Sequence, residues 1–218
     1  MDHFVKNIRS PLFAGIAPEN MEGVLGCIGY HVRGYAKGEL IALEQENIHH
    51  VGVVLSGAVD MVKEDLWGNR TMLARTYPQD IFGETFACGE DSLSMVTFGA
   101  AEDSSVLFLP FGRVMHTCSH TCVFHQTLVE NMVRLIAGKN RELMRKVEVV
   151  SKKTLREKIL TYLSIQAQTQ RTNRFEIPLR RGEWAEYLCA DRSALTRELA
   201  KMKEEGLIDY RKNYFEIL

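Results

Sequence analysis

The pattern of hydrophobic residues changes its period near Pro110, and this change constrains the fold more than any other feature of the sequence. Between residues 30 and 110, glycines separate short runs of strand-forming residues, such as Val51–Leu55 and Ser105–Leu109. Short strands with turn residues at this spacing are typical of a β-sandwich or β-barrel, whereas a parallel sheet needs helices between its strands. We therefore expect a β domain in the first half, with a hairpin tip at Trp67–Asn69.

The segment after Pro110 predicts one long helix. From about Thr117 to Val150 the sequence contains no proline and no strand-like alternation. A helix of roughly 30 residues is too long to bury its apolar side against one small domain, so a partner helix is expected. The same helix of a second copy is the expected partner, and the alternative is packing on the β domain of the same chain alone. The predicted dimer seam consists of Met132, Ile136, Leu143 and Val147.

The last third of the chain predicts a helix-turn-helix followed by a β-hairpin wing. Thr154–Glu157 has the Thr-x-x-Glu pattern of a capping box, which opens a helix. Two short helices are predicted within residues 183–208, and Leu195, Leu199 and Met202 form the buried side of the second one. The strands of the wing are expected within 208–218, joined by a basic turn.

Three polar residues lie off that buried side, near the start of the second helix: Arg192, Ser193 and Arg197. In a helix-turn-helix these positions face base edges in the major groove, where Arg can bind O6 and N7 of guanine together. The pattern therefore predicts sequence-specific binding of double-stranded DNA. Contacts to DNA phosphates are expected from a second set of basic residues, which comprises Arg180, Arg181, Lys201, Arg211 and Lys212.

Charge is distributed unevenly along the chain. The 68 residues from 151 onward contain 14 Lys and Arg against 10 Asp and Glu, a net charge of +4. The remaining residues contain 13 basic and 18 acidic side chains, a net charge of −5, which accounts for the total of −1. A basic last third on an acidic body indicates a local surface for a polyanion, although chance asymmetry of a solvated surface is the alternative.

The composition excludes several classes of protein. Hydrophobic residues make up 45% and charged residues 25% of the 218 residues, which is typical of a globular protein in water. No signal peptide is recognisable, and no apolar run approaches the roughly 18 residues of a membrane span, so no membrane partner is expected. Five cysteines are an odd number and too few for a secreted disulfide framework, so we expect a cytoplasmic protein.

The order of β domain, long helix and winged helix-turn-helix resembles the CRP/FNR superfamily of bacterial transcription regulators. Further segments match in order: Leu12–Ile16, Gly57, Gly68, Phe82–Glu84 and Val106–Pro110. The resemblance implies an α+β fold with an N-terminal double-stranded β-helix (jelly-roll, cyclic-nucleotide-binding-like) domain at 1–115, a dimerisation helix at 116–150 and a winged helix-turn-helix at 151–218. It also implies a homodimer on a palindromic DNA site, with RNA polymerase as a further partner.

The resemblance places an effector pocket at Phe82, Gly83, Glu84, Ser94, Met95 and Met132. Members that bind cyclic nucleotides have Arg followed by Ser or Thr where this chain has Ser94 and Met95, because a buried cyclic phosphate needs a cation. No Arg or Lys lies between Arg75 and Arg113 to replace it. The sequence therefore argues against cyclic AMP as the effector, and Glu84 is then interpreted as a turn residue.

The helix-turn-helix departs from the family pattern at two positions. Ser193 stands where the best-known members have Glu, and its shorter side chain selects a base less strongly. The operator of those members is therefore not expected here. Cys189 stands where Gly is usual, so this residue either accepts a positive φ or shifts the turn.

A cluster of Cys and His residues precedes the long helix. Cys118, Cys122 and His125 would share one side of a helix, and thiolates with imidazoles are ligands for zinc. Three interpretations stay open: a metal or haem site, a thiol redox switch, or ordinary packing at the start of the helix. The iron–sulfur site of the family's oxygen sensors needs an N-terminal cysteine cluster, and only Cys27 lies there.

Two functions of other classes are weighed against DNA binding. A cupin-type metal enzyme needs several converging His residues, but His49 and His50 are consecutive and would point to opposite faces of a strand. We therefore do not expect an enzyme. A protein-interaction module with a degenerate winged helix would not need Arg192 and Arg197 together on one exposed face.

Overall fold

The computed structural model of the protein describes residues 8–68, 70–115 and 123–218. The chain divides into two compact units, Met1–Ala137 and Gly138–Leu218. In the described part of the chain, no helix is both long and apolar enough to cross a membrane.

Antiparallel strands form two four-stranded sheets in the described part of the first unit, with the orders β1-β8-β3-β6 and β2-β7-β4-β5. The strands are β1 (His31–Tyr35), β2 (Leu40–Ala42), β3 (His50–Ser56), β4 (Val59–Glu64), β5 (Arg70–Thr76), β6 (Ile81–Phe82), β7 (Thr97–Ala100) and β8 (Ser104–Pro110). The helices are α1 (Met21–Ile28), α2 (Glu84–Ala87), α3 (Phe111–Met115) and α4 (Val123–Val150), and the last of these continues into the second unit. Short 3₁₀ turns occupy Pro11–Phe13 and Pro18–Asn20.

The two central strands of the first sheet, β3 and β8, are buried on both faces. Val53 on β3 and Leu107 on β8 face one cluster of apolar side chains, which also contains residues of α1 and α4. Val54 and Val106 face a second cluster, which contains Phe98 of the other sheet. Burial on both faces explains why Val51–Val54 reads as a continuous apolar run without the alternation of a half-exposed strand.

Two glycines permit close approaches that a side chain would block. A Cβ atom on Gly52 would overlap the ring of Phe82 on the neighbouring strand β6. Gly57, between β3 and β4, has a φ of 79°, and a Cβ atom there would overlap the backbone of Asp103 and Ser104. The contact at Gly52 determines how closely the Phe82 ring packs on strand β3. The contact at Gly57 determines the path of the turn between β3 and β4.

The hairpin between β4 and β5 has its tip where the sequence predicts it. The Trp67 backbone N–H donates to the Asp65 carboxylate (2.9 Å), which closes the turn. Leu66 and Trp67 are almost fully exposed. Asn69, at the end of the predicted tip, lies outside the described residues.

Helix α4 packs its first half into the core of the first unit. Leu128 and Met132 are fully buried there, and the buried Asn131 amide donates to the carbonyls of Leu12 (3.0 Å) and Ala14 (2.8 Å). The prediction that Met132 belongs to an exposed dimer seam is therefore wrong, because the chain's own core covers it. Its spacing was compatible with either role, since periodicity gives the apolar side of a helix but not what covers it.

The predicted seam residues further along α4 are exposed at least in part. Leu143 and Val147 are 59% and 55% exposed, and Ile136 is 36% exposed. The predicted division at residues 115 and 150 treats α4 as a separate segment, whereas the compact units divide between Ala137 and Gly138. The three-segment division stays a prediction.

The second unit contains helices packed against a small sheet. The capping box at Thr154 is confirmed, because its side chain accepts from the Glu157 N–H and the Glu157 carboxylate accepts from the Thr154 N–H. The elements are α5 (Leu155–Gln170), β9 (Arg174–Glu176), α6 (Arg181–Tyr187), α7 (Arg192–Glu204), β10 (Ile208–Arg211) and β11 (Tyr214–Ile217), and the sheet order is β10-β11-β9. With the β domain and long helix, this winged helix-turn-helix completes the predicted α+β architecture.

Candidate nucleic-acid interface

The three residues predicted to read bases lie together at the exposed start of α7. Leu195, Leu199 and Met202 are fully buried, as the spacing predicted, and they turn the opposite side of the helix to solvent. Arg192, Ser193 and Arg197 are exposed on the first two turns. The side of α7 that carries them is therefore free to enter a groove.

Sequence reasoning did not single out Thr196, which is also exposed on this side of α7. Its hydroxyl donates to the Arg192 carbonyl (2.9 Å), so the side chain lies along the helix. Its methyl group is then a candidate for apolar contact with a thymine methyl. Its spacing of four residues from Arg192 was the signal that could have found it.

The turn between α6 and α7 accepts a cysteine in a left-handed conformation. Cys189 has a φ of 52°, which decides between the two expectations for this position. Its N–H donates to the Glu186 carbonyl (3.0 Å), and the next N–H, of Ala190, donates to the Ala185 carbonyl (2.9 Å). The turn thus keeps its hydrogen bonds, at a backbone cost of roughly 1–2 kcal/mol relative to glycine.

An ion-pair network connects α5 to α7. The Arg156 guanidinium donates to the Glu198 carboxylate (2.6 Å) and, through its two terminal nitrogens, to both oxygens of Glu205 (2.7 and 2.8 Å). The bonds from Arg156 lower the pKa of Glu205 below its usual range. No local pattern predicts this network, because its members are 42 and 49 residues apart along the chain.

A second contact holds the turn itself. The Lys158 ammonium on α5 donates to the Leu188 carbonyl at the end of α6 (3.1 Å). Together with the network at Arg156, it ties the end of α6 and the middle and last part of α7 to the same supporting helix. The angle at which α7 is presented is therefore set by α5.

Four of the five residues predicted to bind phosphate have exposed side chains. Lys201 lies on α7, Arg211 and Lys212 lie at the tip of the wing, and Arg180 immediately precedes α6. Lys212 has a φ of 57° in the two-residue turn between β10 and β11. These side chains lie on the same unit as the exposed start of α7 and can reach a polyanion.

Arg181 differs from the other four. Its side chain is half-buried against the rings of Trp184, Tyr210 and Phe215. Burial is the main reason why the pKa of Arg181 is lowered from its usual value. Its Nη2 atom also donates to the Lys212 carbonyl (3.2 Å).

The residues predicted for an effector pocket do not form one group. Phe82 is buried in the cluster between the two sheets, whereas Met132 is buried in the cluster against the helices. Ser94 is fully buried, and its hydroxyl donates to the Val96 carbonyl (2.7 Å), while the neighbouring Met95 is 65% exposed. Gly83 has a φ of 79° and precedes the buried Glu84, the first residue of α2.

The predicted metal or redox cluster is described only in part. Cys118 and Cys122 lie outside the described residues, and His125 is buried in α4. Among residues 8–68, 70–115 and 123–218, no group of three or more His, Cys, Asp and Glu side chains is arranged to hold a metal ion. Cys27, Cys88 and Cys189 are exposed, and none of the three forms a disulfide.

Family models match both parts of the chain. Residues 32–121 match the model described as a cyclic nucleotide-binding domain. Residues 157–218 match the model described as a Crp-like helix-turn-helix domain. The second match includes α6, α7 and the wing.

Solved structures show the same fold. The catabolite activator protein of Thermus thermophilus aligns over 96% of this chain and 94% of its own, with a TM-score of 0.52 at 23% identity. The regulator CLP of Xanthomonas campestris, described as c-di-GMP responsive, aligns over 92% of this chain and 99% of its own, with a TM-score of 0.63 at 14% identity. At these identities the likeness shows the fold alone.

Curated relatives agree with the family models. The chain is 25% identical over 192 residues to the transcriptional activator protein FnrA of Stutzerimonas stutzeri, covering 85% of this chain and 76% of that protein. It is 27% identical over 207 residues to the cyclic AMP receptor protein of Thermus thermophilus, covering 91% and 88%. These relatives are regulators and not enzymes. With a β domain, a long helix and a winged helix-turn-helix that exposes Arg192, Ser193 and Arg197, the chain belongs to the CRP/FNR family of DNA-binding transcription regulators.

Proposed function

We propose that the protein is a homodimeric regulator that reads a palindromic DNA site through α7. The observation that carries the proposal is the exposed start of this helix, where two arginines and a serine face solvent while the opposite side is buried. Arg192 and Arg197 would bind base edges, with Ser193 assisting. In a dimer the two copies of α7 would enter successive major grooves about 34 Å apart.

Exposed apolar residues on α4 support the dimer. Val133, Leu143 and Val147 are more than half exposed, although apolar side chains are usually covered. Val133, Asn140 and Val147 are seven residues apart, which is the spacing of a coiled-coil seam. A polar Asn among apolar seam residues fixes the register of such a pair at some cost in stability. We propose that two copies of α4 pair along this side.

We also propose that the effector is not a cyclic nucleotide. The residue where a cation is needed is Ser94, which is buried and bonded within its own loop, and Met95 follows it. Rings of Phe82, Phe86 and Phe98 pack against one another between the sheets. A cyclic phosphate would lose its water there without gaining a cation. The test compares this protein with the relative that is named a cyclic AMP receptor protein. In isothermal titration calorimetry, cyclic AMP should bind to that relative and should not bind to this protein.

The DNA proposal is tested by selection from genomic DNA. Purified, reduced protein without added effector is mixed with fragmented genomic DNA, and the retained fragments are sequenced. We expect a palindromic motif whose half-sites are about one helical turn apart. An Arg192→Ala variant of equal thermal stability should lose the motif, whereas Lys153→Ala, which removes an exposed cation outside α6, α7 and the wing, should retain it. Retention of the motif by the Arg192 variant would contradict base reading by α7.

The last part of the proposal is that the DNA-bound dimer acts on RNA polymerase. Regulation of transcription requires that the bound dimer alters polymerase recruitment or blocks it. The same genomic fragments, placed upstream of a reporter and transcribed with purified polymerase, should change their transcript level when the protein is added. An unchanged level on every enriched fragment would contradict this part while leaving DNA binding intact.

A further inference from the structure

We propose that Arg181 is a positioning residue, which holds the wing turn so that Lys212 meets a DNA phosphate, and that it does not bind phosphate itself. The inference rests on the proposed role of the wing in DNA binding. It concerns only the second unit, where all the residues involved are described.

The first observation is the place of the guanidinium among aromatic rings. Its Cζ atom lies 5.6 Å from the centre of the Trp184 ring, 5.4 Å from that of Tyr210 and 5.7 Å from that of Phe215. Cations within about 6 Å of a ring centre are attracted by the ring's electrons. Trp184 belongs to α6, whereas the two other rings belong to the wing strands β10 and β11. One side chain therefore joins the first helix of the motif to both strands of the wing.

The rings themselves are held in place. Tyr210 and Phe215 face each other across the wing with ring centres 5.5 Å apart, and Phe215 also packs against Trp184 at 5.3 Å. Trp184 and Phe215 are fully buried. The guanidinium thus rests on a rigid aromatic surface, so its own position is well defined.

The second observation is the hydrogen bond to the wing tip. Arg181 Nη2 donates to the carbonyl of Lys212 (3.2 Å). Lys212 has a φ of 57°, which is disfavoured for a residue with a Cβ atom and needs support from its surroundings. A bond to the carbonyl of the strained residue gives that support. The Lys212 side chain itself is exposed.

These contacts make Arg181 a poor phosphate ligand. The Nη2 atom already donates to the Lys212 carbonyl, and the guanidinium is half-buried against the three rings, so fewer of its donors can reach a phosphate than those of an exposed arginine. Lys212 and Arg211, by contrast, are exposed and can bind phosphate without breaking such contacts. The lowered pKa of Arg181, which comes mainly from burial, agrees with a cation that is partly removed from water.

The salt dependence of DNA binding separates the two roles. Affinity for a random-sequence DNA duplex is measured over a series of salt concentrations for wild type, Arg181→Met, Lys212→Met and the double variant. Each phosphate contact contributes about 0.9 to the slope of log K against log salt. In the proposed homodimer each substitution changes both wings, so if Arg181 acts through Lys212, each single variant lowers the slope by about 1.8, and the double variant lowers it no further.

Two controls accompany the measurement. Arg174→Met removes a cation from the same sheet, one paired with Glu216 and touching none of these rings, and should leave the slope unchanged. Arg181→Lys keeps a cation over the rings and a donor near the Lys212 carbonyl, so it should retain most of the wild-type slope. Backbone amide NMR signals of Lys212 and Asn213 in the DNA-free protein should shift in Arg181→Met and shift less in Arg181→Lys.

Several results would overturn the inference. A slope lowered by about 3.6 in the double variant would show two independent phosphate contacts in each subunit. An unchanged slope in Arg181→Met would show that the wing does not depend on Arg181. An unchanged slope in Lys212→Met would overturn the wing's role in DNA binding, and this inference with it, while leaving base reading by α7 untouched. If Arg181→Met does not fold, the folded Arg181→Lys variant provides the test. A changed salt slope in Arg181→Lys, with the amide signals of Lys212 and Asn213 unshifted, would contradict the inference.

Discussion

Replacing Leu143 by alanine should weaken the proposed dimer about 100-fold. The change removes three carbons, worth ~2.4 kcal/mol on full burial at ~0.8 kcal/mol per carbon. Leu143 is 59% exposed in the single chain, so a partner can newly bury only this fraction of the side chain. The alanine substitution therefore costs ~1.4 kcal/mol of dimerisation free energy per copy. Two copies meet in a symmetric dimer, which gives ~2.8 kcal/mol and about a factor of 100 in the dimer dissociation constant.

The assay is sedimentation equilibrium over a range of protein concentrations. Alanine favours helix at least as much as leucine, so the helix itself should persist, and circular dichroism checks this. The matched control is Arg141→Ala, an exposed residue two positions earlier on α4, which points to a different side and should leave the dissociation constant unchanged. A dissociation constant for Leu143→Ala that stays within about threefold of wild type would refute the pairing of α4 along this side.

Further predictions concern the DNA-binding unit. Arg197→Ala should cost ~1–3 kcal/mol on the selected DNA site and little on random DNA, measured by fluorescence anisotropy, and equal losses on both would contradict base reading. Lys212→Ala should lower affinity evenly on selected and random sites, and a loss confined to the selected site would contradict a phosphate contact. Because Arg156 depresses the pKa of Glu205, this carboxylate contributes stability above the usual glutamate range and loses it as pH falls through the folded pKa. Urea unfolding of Arg156→Met should therefore show a weaker loss of stability on acidification than wild type, and an unchanged acid dependence would argue against the pairing.

Local patterns predicted much of the fold. The capping box at Thr154, the buried stripe at Leu195, Leu199 and Met202, and the wing strands depend on residues close in sequence. Such features are decided by helical or strand periodicity and by side chain–backbone bonds over three residues, so one sequence contains the information. The exposed start of α7 follows directly from the same periodicity.

Other features depend on contacts between distant segments and could not be found this way. Arg181 carries the same charge as Arg180 and is its neighbour, yet only Arg181 meets three rings, because α6, β10 and β11 converge there. The spacing of Met132 predicts a place in the seam, but an apolar helix position does not tell which partner covers it, and here the chain's own core does so. Arg156 finds Glu198 and Glu205 only after α5 and α7 have packed together.

Strands β3 and β8, at the centre of the first sheet, have a mechanical role, because apolar clusters pack against both of their faces. On β3, Val53 packs on one side and Val54 on the other, and both side chains are fully buried. Protein interiors are close-packed and barely compressible, so a ring forced outward on one face must move the strands toward the other. A change of volume between the sheets should therefore displace β3 and β8 toward the helices on their other side, which include the first half of α4.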